Sequence, residues 1–198
     1  PGIIIAVFFL WDSSILYPLK TLVVFFHESS HALMTVLTGG SVREMAISGN
    51  QGGHVMSSGG SRFWTLTAGY LGSLLWGVAI YLMALKTKQD EIISGFLGIV
   101  LIIITLVFVR NGFGFTFGIA TGIAMFALGN YGNEFFNDLV LRVIGVTSMI
   151  YVPLDIYSDT ISRSHLRSDA RMLAEEFGGA TIMWGGIWII ISAVILYY

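Results

Sequence analysis

"VVFFHESSHALM", residues 23–34, sets two histidines and a glutamate into a run that is otherwise almost wholly apolar. His27 and His31 stand four apart, so on a helix their imidazoles share one face about a turn from each other. Two imidazoles placed in this way can hold one metal ion. Glu28, beside the first of them, can reach a metal-held water without being a ligand itself. H-E-x-x-H is the spacing of two zinc ligands and a general base on one helix. Zinc takes nitrogen ligands and, in catalytic sites, keeps one position open for water. That water falls in pKa toward ~7 and becomes a nucleophile at neutral pH. The competing reading is a set of paired or proton-conducting groups, because ionisable residues inside a membrane bundle are seldom idle.

A catalytic zinc site takes a third protein ligand. Asp155 and Asp159, in "YVPLDIYSDTI", lie four apart in an apolar stretch and so share a helix face. Three crossings separate the helix of His27 from that of Asp155, so the two run parallel. His27 lies about 13 residues into its helix and Asp155 about 17 into its own, a depth difference of roughly 6 Å at 1.5 Å per residue. Asp155 is therefore the first choice and Asp159, one turn further on, the reserve. Pairing with Arg163 is the alternative use of either. His54, in a glycine-rich loop, and His165, among arginines, read as surface residues.

The elements that must position these groups follow from composition. Of 198 residues 55% are hydrophobic and 11% charged, with mean hydropathy +0.80. Soluble domains run near a quarter charged. The chain is expected to be an all-α polytopic membrane protein of about six transmembrane helices, forming one integral membrane domain over 1–198. A net charge of −2 with no basic patch excludes nucleic acid as a partner. Without cysteine there is no disulfide or thiolate chemistry. The opening at Pro1 suits a truncated helix or a processed precursor, and no basic stretch precedes it as in a signal peptide.

Apolar runs and their punctuation place helices at about 14–38, 62–85, 92–109, 113–128, 138–162 and 180–198, with a short apolar piece at about 2–11. Segment 41–58, rich in glycine, suits a β-hairpin or re-entrant loop whose edge could take an extended substrate. "GNYGNEFFND" reads as an exposed loop and "SRSHLRSDARMLAEEFGG" as a polar connection. Gly69, Gly72 and Gly77 offer a small-residue face for packing against the H-E-x-x-H helix. Trp64, Trp76, Trp184 and Trp188 read as interfacial anchors. Arg43, Arg62, Arg110, Arg163, Arg167 and Arg171 fall on one side of the membrane and Lys86, Lys88 and Arg142 on the other. That bias leans the first side toward the cytoplasm or its equivalent.

"FFHESSHALMTVLTGG", "RFWTLTAGYLGSLLWG", "FVRN", "YVPLDIYSDTISR" and "SDARMLAE", in this order, resemble the peptidase M-fifty B-like branch of the site-2 protease family. The resemblance covers roughly residues 20–190. It implies an intramembrane zinc metalloprotease in which His27 and His31 match the ligand histidines, Glu28 the catalytic base and Asp155 the ligand aspartate. Ser30 stands where the family often has glycine, and Leu154-Asp155-Ile156 where better-known members carry Leu-Asp-Gly.

The expected function is thus zinc-dependent hydrolysis of peptide bonds in or next to the bilayer. Its partners would be a membrane-protein or peptide substrate and the lipid itself. The alternative is a non-proteolytic membrane scaffold subunit that keeps the fold within a larger complex. A proton or ion carrier using Glu28 and Asp155 is a third reading, but one that would not need both histidines at this spacing.

Overall fold

Apolar length and glycine punctuation set the order of elements. The computed structural model describes residues 2–164 and 166–197. A short helix α1 (Gly2–Phe9) turns by 111° through a 3-10 turn into α2 (Tyr17–Leu37). A two-stranded antiparallel hairpin follows, β1 (Ser41–Ser48) with β2 (Gly52–Ser58), bulged between Val42 and Glu44. Then come α3 (Arg62–Lys86), α4 (Asp90–Phe108), α5 (Gly112–Tyr131) and α6 (Glu134–Tyr157), the last carried on to Ser162 by a wider π-helical turn. A nine-residue helix α7 (Asp169–Phe177) and an apolar α8 (Thr181–Tyr197) complete the described residues.

Four of these helices are long and apolar enough to cross a membrane, or five spans if the bent α1–α2 pair is one. The shorter apolar α8 makes up the expected count of about six. The chain is a multi-pass integral membrane protein.

Two expectations change. "GNYGNEFFND" is not an open loop: α5 runs on to Tyr131, and α6 begins at Glu134 because the Asn133 side chain accepts from the Phe136 N–H at 3.0 Å and caps it. The polar connection after α6 contains α7, whose Ala170 and Leu173 are fully buried. His165, read as a surface residue, lies outside the described residues.

In lipid there is little hydrophobic drive between helices, so association rests on close packing of small residues and on interhelical hydrogen bonds. Both occur here. A Cβ on Gly77 would stand 3.1 Å from the Gly145 carbonyl, and one on Gly145 2.8 Å from that of Gly77, so α3 and α6 touch backbone to backbone. The Ser148 hydroxyl crosses the same seam to donate to the Ser73 carbonyl at 2.8 Å. Gly98 and Gly122 serve α4 and α5 in the same way. The tryptophans divide: Trp64 is exposed, whereas Trp188 is buried and Trp76 stacks on Phe26 at 5.5 Å, so those two are packing residues rather than interfacial anchors.

Gly145→Ala should lower stability by about 1–3 kcal/mol, the usual range for forcing a methyl group into a filled interior. Gly186→Ala, where a Cβ meets nothing within 4 Å, should leave it unchanged or slightly raised. Thermal unfolding of both variants in detergent checks the pair. Equal behaviour would show that the α3–α6 seam does not limit stability.

Candidate metal centre

Helix α2 carries His27 and His31 one turn apart on the face toward α3, and α3 meets them with a glycine. A Cβ on Gly69 would lie 2.5 Å from His27 Nε2 and from His31 Cε1 and Nε2. Only the bare glycine backbone leaves room for the two rings. The imidazoles meet edge to face with centroids 4.7 Å apart and their Nε2 atoms 3.0 Å apart. His31 Nδ1–H donates to the Thr65 carbonyl at 2.6 Å, which turns the Nε2 lone pair of the neutral ring inward.

The third member comes from α7. Asp169 Oδ2 lies 3.0 Å from His27 Nε2 and 3.1 Å from His31 Nε2. Among the described residues, His27, His31 and Asp169 form the group whose donor atoms converge as a metal site requires. Asp169 opens α7, capped by the Ser168 hydroxyl, which accepts from Arg171 N at 3.3 Å. The helix docks on the start of α3, with Arg62 donating to Glu176 at 3.1 Å and Phe63 meeting Phe177 at 5.5 Å. Burial alone would push the Asp169 carboxyl up. The facing imidazoles outweigh it and hold the group well below the usual carboxylate range.

Among the described residues, the carboxylate whose oxygen meets both histidines is that of Asp169, not that of Asp155, expected as third ligand, nor that of Asp159, its reserve. Both aspartates line the same cavity, of about 500 Å³, but turn toward Arg163. Arg163 Nη2 stands 3.8 Å from Asp155 Oδ1 and 2.8 Å from Asp159 Oδ1. Asp159 Oδ2 also accepts from the Tyr70 hydroxyl at 2.6 Å. The chain turns back after α6 and brings this carboxylate in from the short helix α7 rather than from a spanning helix. Ser168-Asp169 before the alternating pattern of "ARMLAEE" was the available signal, a helix cap followed by an amphipathic turn.

Glu28 is 5% exposed and is not among the converging donors. Its Oε2 has no hydrogen-bond partner among the described residues. The hairpin covers it closely: a Cβ on Gly53 would lie within 3 Å of three atoms of the Glu28 side chain. His54, read as a surface residue, has its side chain 56% exposed and stands 3.8 Å from Glu44.

This donor set fits zinc. Tetrahedral zinc holds nitrogen and oxygen ligands at about 2.0–2.2 Å, which spaces them by roughly 3.3–3.5 Å. The donor triangle here has edges of 3.0–3.1 Å and would need to open by only a few tenths of an ångström to admit the ion. A carbonyl anchor behind one ligand histidine is the usual outer support of such a site.

No curated protein and no solved structure matches the chain. The family model described as Peptidase M50B-like matches residues 2–198. The chain therefore belongs to the Peptidase M50B-like family and has its membrane metallopeptidase-type fold.

Proposed function

We propose that this chain is an intramembrane zinc-dependent endopeptidase in which His27, His31 and Asp169 hold the metal and Glu28 is the general base. The observation that carries this reading is the convergence of three donor atoms beside a buried carboxylate that has an unpartnered oxygen. A scaffold has no need for that carboxylate to be held bare next to the cluster.

When bound, zinc would lower the pKa of a water and polarise the scissile carbonyl. Glu28 takes a proton from the attacking water and passes it to the leaving nitrogen, so that the C–N bond breaks to a carboxylate and an amine. Gly53 seats the hairpin on Glu28 and excludes bulk water from that side. The Thr65 carbonyl keeps His31 in one tautomer throughout.

The substrate is a membrane protein or peptide that enters extended. The outer edge of β1 is already taken: Arg110 N donates to the Met45 carbonyl at 3.0 Å, and the Asn111 amide bonds both N and O of Ile47 at 3.1 and 2.7 Å. Strand β2 lines the cavity and is the edge left for an added strand. A helical substrate must unwind to use it, so residues that weaken helices near the cleaved bond favour cleavage.

Metal content of purified variants tests the ligand set. Asp169→Ala should lose most of its zinc, whereas Asp155→Ala and Asp159→Ala should keep more. The reverse order would return the role to Asp155 or Asp159.

Zinc content and cleavage of a membrane peptide on one preparation test the base. Glu28→Gln should keep the metal and turn over roughly 10²–10⁴-fold more slowly. A Glu28→Gln protein that holds zinc and cleaves at the wild-type rate would end the hydrolytic mechanism.

A further inference from the structure

Tyr70 stands where α3, α2, α6 and α8 meet, and it is 1% exposed. Its ring meets the His27 imidazole edge to face, with centroids 4.8 Å apart and planes at 82°. Trp188 of α8 lies against it at 5.0 Å. Its hydroxyl donates to Asp159 Oδ2 at 2.6 Å, and Arg163 Nη2 holds the other oxygen of that carboxylate at 2.8 Å. A continuous chain of contacts therefore runs from the exposed Arg163 through Asp159 and Tyr70 to His27.

The two histidines of the cluster are supported differently. His31 has a backbone anchor in the Thr65 carbonyl. Among the described residues, His27 has no backbone partner behind its ring and leans on Tyr70 instead. A tyrosine wall holds an imidazole only if the wall is fixed. Two-fold freedom about the Tyr70 side chain is removed by Trp188 on the ring and by Asp159 on the hydroxyl. The short bond to a carboxylate belongs to the stronger class of hydrogen bonds, with an ionised acceptor.

We propose that Tyr70 is a positioning residue for His27, and that Asp159, steadied by Arg163, locks Tyr70 in place. Asp159, one turn beyond Asp155 on the face that looked fit for a ligand, acts on the metal centre through this tyrosine without touching the metal. The inference rests on the metal-centre reading above. It gives the Asp159–Arg163 pair a task that a bare helix-end ion pair does not have. Outer supports of ligand histidines typically change metal affinity by 10–100-fold when removed.

The test uses the full chain in detergent, stripped of metal and titrated with Co²⁺, whose visible bands report the coordination geometry. Tyr70→Phe and Asp159→Leu should each weaken Co²⁺ binding by roughly 10–100-fold and change the band pattern. The double variant should lose no more than either alone, since both break one link. Asp159→Asn, which keeps an oxygen acceptor for the Tyr70 hydroxyl, should return affinity and bands to near wild type. If Tyr70→Phe fails to fold, Asp159→Leu carries the comparison, because the Asp159 side chain is 22% exposed and replaceable.

A purely structural Tyr70 would lower the melting temperature and leave Co²⁺ affinity and bands unchanged, and that result overturns the proposal. Wild-type bands that persist in both Tyr70→Phe and Asp159→Leu overturn it as well. A wild-type chain with no Co²⁺ bands fails in a different place: the metal-centre reading falls, and this inference with it.

Discussion

The whole site depends on a missing side chain. Helix α3 passes so close under α2 that any atom beyond Cα at residue 69 would occupy the space of the His27 and His31 nitrogens. From that contact the rest follows in register. One turn earlier on α3, the Thr65 carbonyl comes within reach of His31. One residue later, Tyr70 meets His27 from the side. About two turns further along, α3 closes on α6 through Gly77 and Gly145. A methyl group at residue 69 would disturb packing and chemistry together.

A second constraint is the satisfaction of polar groups where lipid offers none. The hydroxyls of Ser29, Ser30, Thr105 and Thr147 each donate to the carbonyl four residues back, at 2.6–2.7 Å. The hairpin poses a harder problem, because a strand edge within a membrane protein leaves a row of backbone groups to be paired. The 109–111 connection solves it for β1 by laying its backbone and the Asn111 amide along that edge. Asn111 behaves as one more residue of sheet, supplied by a side chain. Glu28 Oε2 is the contrast, a buried acceptor with no hydrogen-bond partner among the described residues, beside the His27–His31–Asp169 cluster.

Much of this was legible in the order of residues. Long apolar runs gave the spanning helices, glycine pairs gave the hairpin, and the four-residue spacing of His27 and His31 put their imidazoles together on one helix face. What was hidden depends on encounters distant in sequence. Asp169 sits in a polar segment whose nine-residue helix is too short for periodicity to stand out, and its partners lie on α2. Asp155 and Asp159 share the helix face that the spacing implied, and there Asp159 bonds Arg163 while Asp155 lies 3.8 Å from it, contacts that turn on the path of the chain after α6. Trp188 looked like an interfacial anchor by type and position. That its ring is buried against Tyr70 follows from how α8 packs, which no local pattern records.

The origin of Asp169 also has a bearing on biosynthesis. His27 and Asp169 are separated by 142 positions, and helices α3 to α6 lie between α2 and α7 in the chain, so they are synthesised before α7. A growing chain that has completed α2 and α3 already contains both histidines, the glutamate and the glycine that meets the histidine rings in the finished fold. It lacks the carboxylate that closes the triangle until nearly all the spanning helices are in place. Closing so long a loop is favourable only once the intervening helices have packed, because the entropy lost on closure must be offset by contacts already made. The triangle is thus completed late, once the helices between its ends have packed.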